Sequence, residues 1–135
     1  MHPTRLILES SHWQLMRDQV AAEAPLEACG LLAGREERVE QVFAMENAAR
    51  SEARFLLDPQ EQLDAFNAID ERGLELIGIY HSHPLGPSVP SPTDVAEAVY
   101  PVVNLIWSPG AGEWQVRGFW IEEGRVLEVP LETAK

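Results

Sequence analysis

The feature that most constrains the fold is an apolar run at residues 74–80, which leads directly into His81-Ser82-His83. Apart from Glu75, the run consists of residues that favour β-structure, so it predicts a central strand. Alternate residues of a strand point to the same face, so His81 and His83 lie side by side at its end. Any fold for this chain must therefore bury this strand and place the two histidines together at its C-terminal end.

The remaining hydrophobic pattern predicts strands and helices on both sides of the central strand. Seven or eight strands are expected, at residues 5–9, 29–34, 39–45, 55–57, 74–80, 102–107, 114–121 and 126–129. Three helices are expected, at about 10–24 with Trp13, Met16 and Val20 buried, at 59–72 with Leu63, Phe66 and Ile69 buried, and at 91–100. Ser10 or Ser11, Asp58 and Ser91 are the expected caps. One mixed sheet with helices packed on it, forming a single domain over residues 1–135, follows.

Cysteine content and charge narrow the possible functions. Cys29 is the only cysteine, which excludes an internal disulfide and a cysteine-rich zinc finger. The formal charge of −12 disfavours nucleic acid as a partner and suits a neutral or basic protein, although it could simply confer solubility. No apolar segment is long enough for a membrane span or a signal peptide, so a cytoplasmic protein is expected.

The two histidines and a downstream carboxylate form a candidate metal site. Asp94 follows His83 after a loop that contains four prolines, and such a stiff loop returns a carboxylate at low entropic cost. Imidazoles and a carboxylate are suitable zinc ligands, and three protein ligands leave the fourth position for water, which is the catalytic arrangement. A further carboxylate must move protons. Glu27 is a candidate for that role, but local chemistry allows other carboxylates equally well.

Each of these residues also has a structural explanation. Asp94 could complete a capping box with Ser91, the histidines could bond to backbone groups, and Glu27 could be a solvated turn residue. Taken together, two histidines on one face, a stiff loop and a returning carboxylate favour the metal site. Cys29 is expected to be a buried packing thiol, and His2 and His12 are expected to be exposed.

These residues resemble a known family, the JAMM metalloproteases (also called the MPN+ or JAB domain family). His81-Ser82-His83-Pro84 with Ser91-Pro92-Thr93-Asp94 is similar to the family signature. The upstream block from Glu27 to Gly34 is similar to the family's Glu-x-Cys-Gly-Leu-x-x-Gly sequence. The resemblance implies the MPN/JAB fold, a cytidine-deaminase-like α+β domain whose single mixed sheet is strongly curved.

The resemblance also implies a role for each site residue. His81, His83 and Asp94 would bind one zinc ion per chain. Glu27 would be the general acid and base, and Ser91 would stabilise the oxyanion or hold the water. Whether Ser91 acts in catalysis or mainly as a helix cap stays open at this point.

For function, the resemblance implies a zinc peptidase or isopeptidase. It would hydrolyse an amide bond at the C-terminal Gly-Gly tail of a ubiquitin-like or sulfur-carrier protein, as the small prokaryotic members do, for example by releasing cysteine. Two alternatives remain open. One is a non-catalytic protein-binding module, and the other is a non-haem iron enzyme, because two histidines and a carboxylate also form a facial triad.

Overall fold

The computed structural model describes residues 2–135 of the chain. Eight strands are present: β1 (Leu6–Leu8), β2 (Cys29–Arg35), β3 (Arg38–Met45), β4 (Glu75–Ser82), β5 (Val103–Pro109), β6 (Trp114–Glu122), β7 (Arg125–Val129) and β8 (Leu131–Thr133). Three helices accompany them: α1 (Ser10–Glu23), α2 (Pro59–Glu71) and α3 (Pro92–Glu97). The counts agree with those predicted from the sequence.

All eight strands form one mixed sheet in the order β7-β6-β5-β4-β2-β3-β1-β8. The pairs β4–β5, β1–β3 and β1–β8 are parallel, and the other pairs are antiparallel. The two end strands, β7 and β8, are separated along the chain only by Pro130. The two edges of the sheet must therefore approach each other, which curls the sheet into a nearly closed barrel. This confirms the predicted single, curved, mixed sheet.

The N-cap of helix α1 is Glu9, so the prediction of Ser10 or Ser11 as the cap is wrong, and the helix begins at Ser10. The Glu9 backbone N–H donates to Nδ1 of His12 at 3.0 Å, and His12 is only 9% exposed. The expectation of an exposed His12 is therefore wrong, since its ring completes the capping interaction. Met16 and Val20 are fully buried as predicted, whereas Trp13 is only partly buried.

Helix α2 begins as predicted, with Asp58 accepting hydrogen bonds from the first-turn N–H groups. It packs against the sheet through Ala65 and Ile69, however, and Leu63 is 53% exposed. The prediction of a buried Leu63 is wrong for a geometric reason. Leu63 precedes Ala65 by two residues, which rotates its side chain about 200° around the helix and away from the sheet. Phe66, one residue beyond Ala65, is half-buried against Tyr100.

Three further segments differ from the sequence prediction. Residues 55–57 do not form a strand, because Leu57 makes only an isolated bridge with Asn47. Strand β8 was not predicted, and its three residues extend the sheet by pairing with β1. Helix α3 ends at Glu97, three residues short of the predicted end. The two strand differences depend on pairing with distant strands, which a local sequence pattern does not report.

The core lies on both faces of the sheet. One cluster, inside the curl and beneath α1, includes Leu8, Met16, Tyr80 and Trp107. A second cluster, which includes Leu31 and half-buried Phe66, lies on the face covered by α2. Strand β4 runs through the middle of the sheet, and its end is therefore held rigidly between β2 and β5. Within residues 2–135, no helix is long and apolar enough to cross a membrane.

Candidate metal centre

His81 and His83 lie where the sequence places them, at the end of β4. The β4 register pairs His81 with Cys29 of β2 and with Ile106 of β5, so both neighbouring strands hold it. Just beyond the strand, the backbone N–H of His83 donates to the backbone carbonyl of Trp107 at 2.7 Å. Both histidines are buried, with 1% and 5% exposure. Their Nε2 atoms are 3.1 Å apart, which requires the two rings to point at one shared position.

Asp94 points at the same position from the first turn of α3. Its Oδ2 atom lies 3.2 Å from Nε2 of His81 and 3.0 Å from Nε2 of His83. The same oxygen accepts the Ser91 N–H at 2.8 Å, while the Ser91 hydroxyl accepts the Asp94 N–H at 3.0 Å. The capping box and the contact with the histidines, which were alternatives from the sequence, are therefore both present. The cap orients the carboxylate towards the imidazoles.

The proline-rich loop between His83 and Asp94 also orients the His83 ring. Nδ1 of His83 lies 2.8 Å from the carbonyl oxygen of Pro87. A carbonyl can only accept, so Nδ1 carries a proton. In the neutral ring, Nε2 therefore has the lone pair, directed at Asp94 and His81, whereas in the protonated ring Nε2 donates to Asp94. Gly86 has a φ of +74°, a conformation that favours glycine. It provides the turn that brings the Pro87 carbonyl back to Nδ1 of His83.

The three facing atoms form a triangle with edges of 3.0, 3.1 and 3.2 Å. Tetrahedral ligands held about 2.0 to 2.1 Å from a zinc ion lie about 3.3 Å from one another. The triangle therefore nearly matches one face of a zinc tetrahedron. A single proton can join only two of these three atoms, whereas a metal cation can be coordinated by all three. The residues present fit a metal ion.

Glu27 lies beside the histidines. One ligand atom from each of Glu27, His81 and His83 falls within 4.8 Å of the others, and all three residues are buried. Oε1 of Glu27 is buried without a hydrogen-bond partner among the residues described. Burial raises the pKa of Glu27 to about 7, against a smaller lowering by His83. A carboxyl group with a pKa near neutrality can both accept and release a proton under ordinary conditions.

The charges of the other three groups follow from burial and from their mutual contacts. Burial lowers the pKa of His81, which keeps its ring neutral. Burial would also lower the pKa of His83, but Asp94 and the Pro87 carbonyl together raise it. Burial alone would raise the pKa of Asp94, yet hydrogen bonds from both histidines hold it well below its usual range. The Asp94 carboxylate is therefore ionised, and its negative charge favours binding of a cation at this position.

Three positioning contacts were missed in the sequence. The hydroxyl of Ser82, between the two histidines, accepts the Ala28 N–H at 2.8 Å and so ties β4 to the residue after Glu27. Nδ2 of Asn47 donates to the Glu27 carbonyl at 3.0 Å. Phe55 stacks on the His81 ring with a centroid separation of 4.4 Å. Only an Asx-type pattern at Asn47, whose Oδ1 accepts the N–H two residues on, could have been found locally.

Cys29 behaves as the sequence predicts. It is fully buried, and burial raises the pKa of its thiol to about 12. A thiol with such a pKa is almost never ionised near neutral pH, so it is a poor nucleophile and a poor competitor for the metal.

A groove of about 260 Å³ is lined by His81 and by residues of α3, including Asp94. Its walls are mainly apolar and include Phe55, Ile79 and Val99. The candidate metal centre therefore borders a mainly apolar groove.

The raised pKa of Glu27 predicts a pH-dependent stability for the metal-free protein. Because the pKa of Glu27 is about 7 in the fold against an ordinary value of 4.5, the stability contributed by neutral Glu27 is fully present below about pH 4.5 and is lost as the pH rises through 7. Glu27→Gln stays neutral, so it should be more stable than the parent by about 1 to 3 kcal/mol above pH 7.

Urea unfolding of both metal-free proteins at pH 5 and pH 8 measures this difference. The advantage of the glutamine variant should be small at pH 5 and large at pH 8. An advantage of equal size at both values would show that Glu27 ionisation is not its cause.

The chain is similar to a known protein family and to several named proteins. The family described as prokaryotic homologues of the JAB domain matches residues 9–121. A probable TtuB-protein conjugate cleaving protease of Thermus thermophilus is 40% identical over 126 residues, which cover 93% of this chain and 78% of that protein. A desampylase of Pyrococcus furiosus is 34% identical over 116 residues, covering 84% of this chain and 80% of that protein. A CysO-cysteine peptidase of Mycobacterium tuberculosis is 32% identical over 134 residues, covering 96% and 92%.

Two solved structures are also similar. The solution structure of a protein from Desulfitobacterium hafniense has a TM-score of 0.87 and 32% identity, covering 96% of this chain and 93% of that chain. The crystal structure of a JAB1/MPN domain protein from Archaeoglobus fulgidus has a TM-score of 0.63 and 16% identity, covering 97% and 99%. The second likeness shows a shared fold.

Proposed function

We propose a function from the premise that this chain belongs to the family of prokaryotic homologues of the JAB domain. The protein is a zinc-dependent peptidase or isopeptidase. It hydrolyses an amide bond at the C-terminal Gly-Gly tail of a ubiquitin-like or sulfur-carrier protein. The observation that carries this proposal is the buried triangle of His81 Nε2, His83 Nε2 and Asp94 Oδ2, with the carboxyl group of Glu27 beside it.

His81, His83 and Asp94 would hold the zinc ion. Two imidazoles and one carboxylate are a common catalytic zinc set, and three ligands leave a position for the reaction. When bound, zinc supplies Lewis acidity, which polarises the scissile carbonyl and makes water acidic near neutral pH. The same ligand types also suit non-haem iron, so the metal's identity needs an elemental measurement.

Glu27 would move the proton. Its carboxylate accepts a proton from water as the water oxygen bonds to the scissile carbon, and it then donates that proton to the leaving nitrogen as the C–N bond breaks. The pKa of about 7 suits both steps, since general catalysis is most effective when the pKa lies near the working pH. Burial without a hydrogen-bond partner leaves Oε1 of Glu27 available for this exchange.

Ser91 would serve twice. Its hydroxyl oxygen accepts the Asp94 N–H, which is the capping role. A hydroxyl group can accept and donate at once, so its proton remains available for the oxyanion that develops on the carbonyl oxygen. This dual use removes the need to choose between cap and catalytic donor.

The relatives suggest the substrate class. Their names describe cleavage of TtuB–protein conjugates and of CysO–cysteine. We extend this class to the present chain and place the carrier's extended tail in the apolar groove beside Phe55 and Val99. Tail glycines would approach the ion where larger side chains could not.

Metal removal tests this proposal. A small carrier protein ending in Gly-Gly-Cys, incubated with zinc-loaded protein, should lose its terminal cysteine in an intact-mass assay. Chelation should abolish the cleavage, because no residue of the site replaces the Lewis acid, and one equivalent of zinc should restore it.

If iron but not zinc restored activity, and oxygen were consumed, the result would favour the non-haem iron enzyme. Tight binding of the carrier without cleavage at any metal loading would favour the non-catalytic module.

A further inference from the structure

We propose that Arg117, on β6 and away from the ligand set, is a positioning residue for the metal centre. It anchors the loop at residues 84–90, which holds the His83 ring. The inference deepens the proposed function, because it concerns the support of the same site. The chain of contacts runs from Arg117 through Ser88 and the Pro87 carbonyl to Nδ1 of His83.

The Arg117 side chain is held in place by its own strand and its neighbour. Its Nε and Nη2 atoms donate to the two carboxylate oxygens of Glu128 on β7, at 3.0 and 2.7 Å. The guanidinium also lies 5.2 Å from the centre of the Phe119 ring. A bidentate pair stacked on an aromatic ring fixes a guanidinium better than a single contact does.

From this fixed position, Nη1 of Arg117 donates to the hydroxyl of Ser88 at 3.0 Å. The contact joins the loop to the β6–β7 hairpin, across 29 positions in sequence. Arg117 is on the strand next to β5, which itself pairs with β4. The loop is thus attached to the same sheet that carries His81.

The loop has few other attachments. In the part of the chain that the structure describes, residues 84–90 make hydrogen bonds only with His83 and Arg117. The Leu85 side chain is 80% exposed and therefore anchors nothing. Without Arg117, the prolines would still stiffen the loop, but its remaining hydrogen bonds would all be with His83, the residue that it positions.

The position of this loop matters because Pro87 is next to Ser88. The Pro87 carbonyl accepts the proton of His83 Nδ1 at 2.8 Å, which leaves Nε2 with the lone pair a metal needs. Outer contacts of this kind typically change metal affinity about 10- to 100-fold. Arg117 acts one contact further out, so we expect an effect of about 3- to 10-fold.

The test compares Arg117→Gln, Ser88→Ala and the double variant in the full chain. Zinc affinity is measured by competition with a chromogenic chelator. Both single variants should bind zinc about 3- to 10-fold more weakly, and the double variant should be no weaker than either, because both remove one contact. Arg117→Lys should be intermediate, since lysine keeps a donor but loses the bidentate geometry.

Arg5→Gln is the matched control. Arg5 is also an ion-paired arginine, with Glu37 and Glu132 as partners, and its side-chain exposure is similar, 46% against 39%, but it lies near β1 and β8. This variant should bind zinc as the parent does. Equal weakening by Arg5→Gln would assign the effect to general stability.

A second readout does not need zinc. In the metal-free protein, ¹⁵N-resolved NMR should detect a protonated Nδ1 on His83 that exchanges slowly, and exchange should accelerate in Arg117→Gln and Ser88→Ala. Zinc affinities within twofold of the parent, or unchanged proton exchange in both variants, would overturn the role of Arg117. Failure of the parent protein to bind zinc would instead contradict the proposed function, and the exchange measurement would still decide the role of Arg117.

Discussion

Glu27→Gln is expected to lower kcat for amide hydrolysis by about 100- to 10,000-fold while the protein keeps its zinc. Glutamine has the shape of glutamate but cannot take a proton from water or return one to the leaving nitrogen. The zinc ligands proposed are His81, His83 and Asp94, so the substitution should leave metal content unchanged. Turnover by intact mass and zinc by elemental analysis, on the same preparation, measure both quantities.

Glu46→Gln provides the control for this experiment. Glu46 is a nearby carboxylate with 63% side-chain exposure, and it pairs with Arg50 at 3.4 Å. Its substitution should leave turnover unchanged. Full activity in Glu27→Gln would contradict the assigned mechanism, whereas loss of zinc together with activity would show that Glu27 belongs to the ligand set.

Asp94→Asn is expected to weaken zinc binding by more than about 100-fold and to abolish turnover. Loss of an outer contact alone costs about 10- to 100-fold, so loss of the only anionic ligand should cost more. Asparagine keeps an oxygen that can accept the Ser91 N–H, so α3 should remain capped. Chelator competition and elemental analysis measure the loss of zinc.

Asp58→Asn separates ligation from capping. Asp58 caps α2 by accepting the N–H groups of Gln60 and Glu61, and it is not one of the proposed zinc ligands. Asparagine is also a good cap, so this variant should lose little stability and bind zinc normally. If Asp94→Asn bound zinc as the parent does, Asp94 would be only a cap, and two histidines with water would not make a convincing catalytic site.

Much of the candidate site could be predicted because its signals are local. Two histidines two residues apart on a strand must share a face, and a proline-rich loop before a capped helix returns a carboxylate. Whether Asp94 caps or coordinates could not be decided locally, because the answer depends on where α3 lies relative to β4. In the structure, one oxygen of Asp94 serves both contacts.

The elements that were predicted wrongly depend on long-range packing. Leu63 fits an amphipathic helix, but the sheet meets α2 at Ala65 and Ile69. Residues 55–57 have strand-like composition, yet Phe55 is used to stack on His81. The three residues of β8 carry too little pattern to predict, and their pairing with β1 depends on the curl of the whole sheet.

The contacts that support the site could not be predicted either, because they also join segments that are distant in sequence. Ser82 meets Ala28 across 54 positions, and Arg117 meets Ser88 across 29. No local pattern marks a serine within a strand or an arginine on an exposed face as part of a metal centre. Such residues become visible only when the fold has brought the distant segments together.

The central claim is that His81, His83 and Asp94 hold a zinc ion with one position left open. Anomalous diffraction at the zinc edge from a zinc-soaked crystal tests it most directly. We predict one peak per chain, about 2.0 to 2.1 Å from His81 Nε2, His83 Nε2 and Asp94 Oδ2, with a fourth ligand that is not a protein atom. A peak elsewhere, no peak, or a fourth protein ligand closing the site would contradict the account.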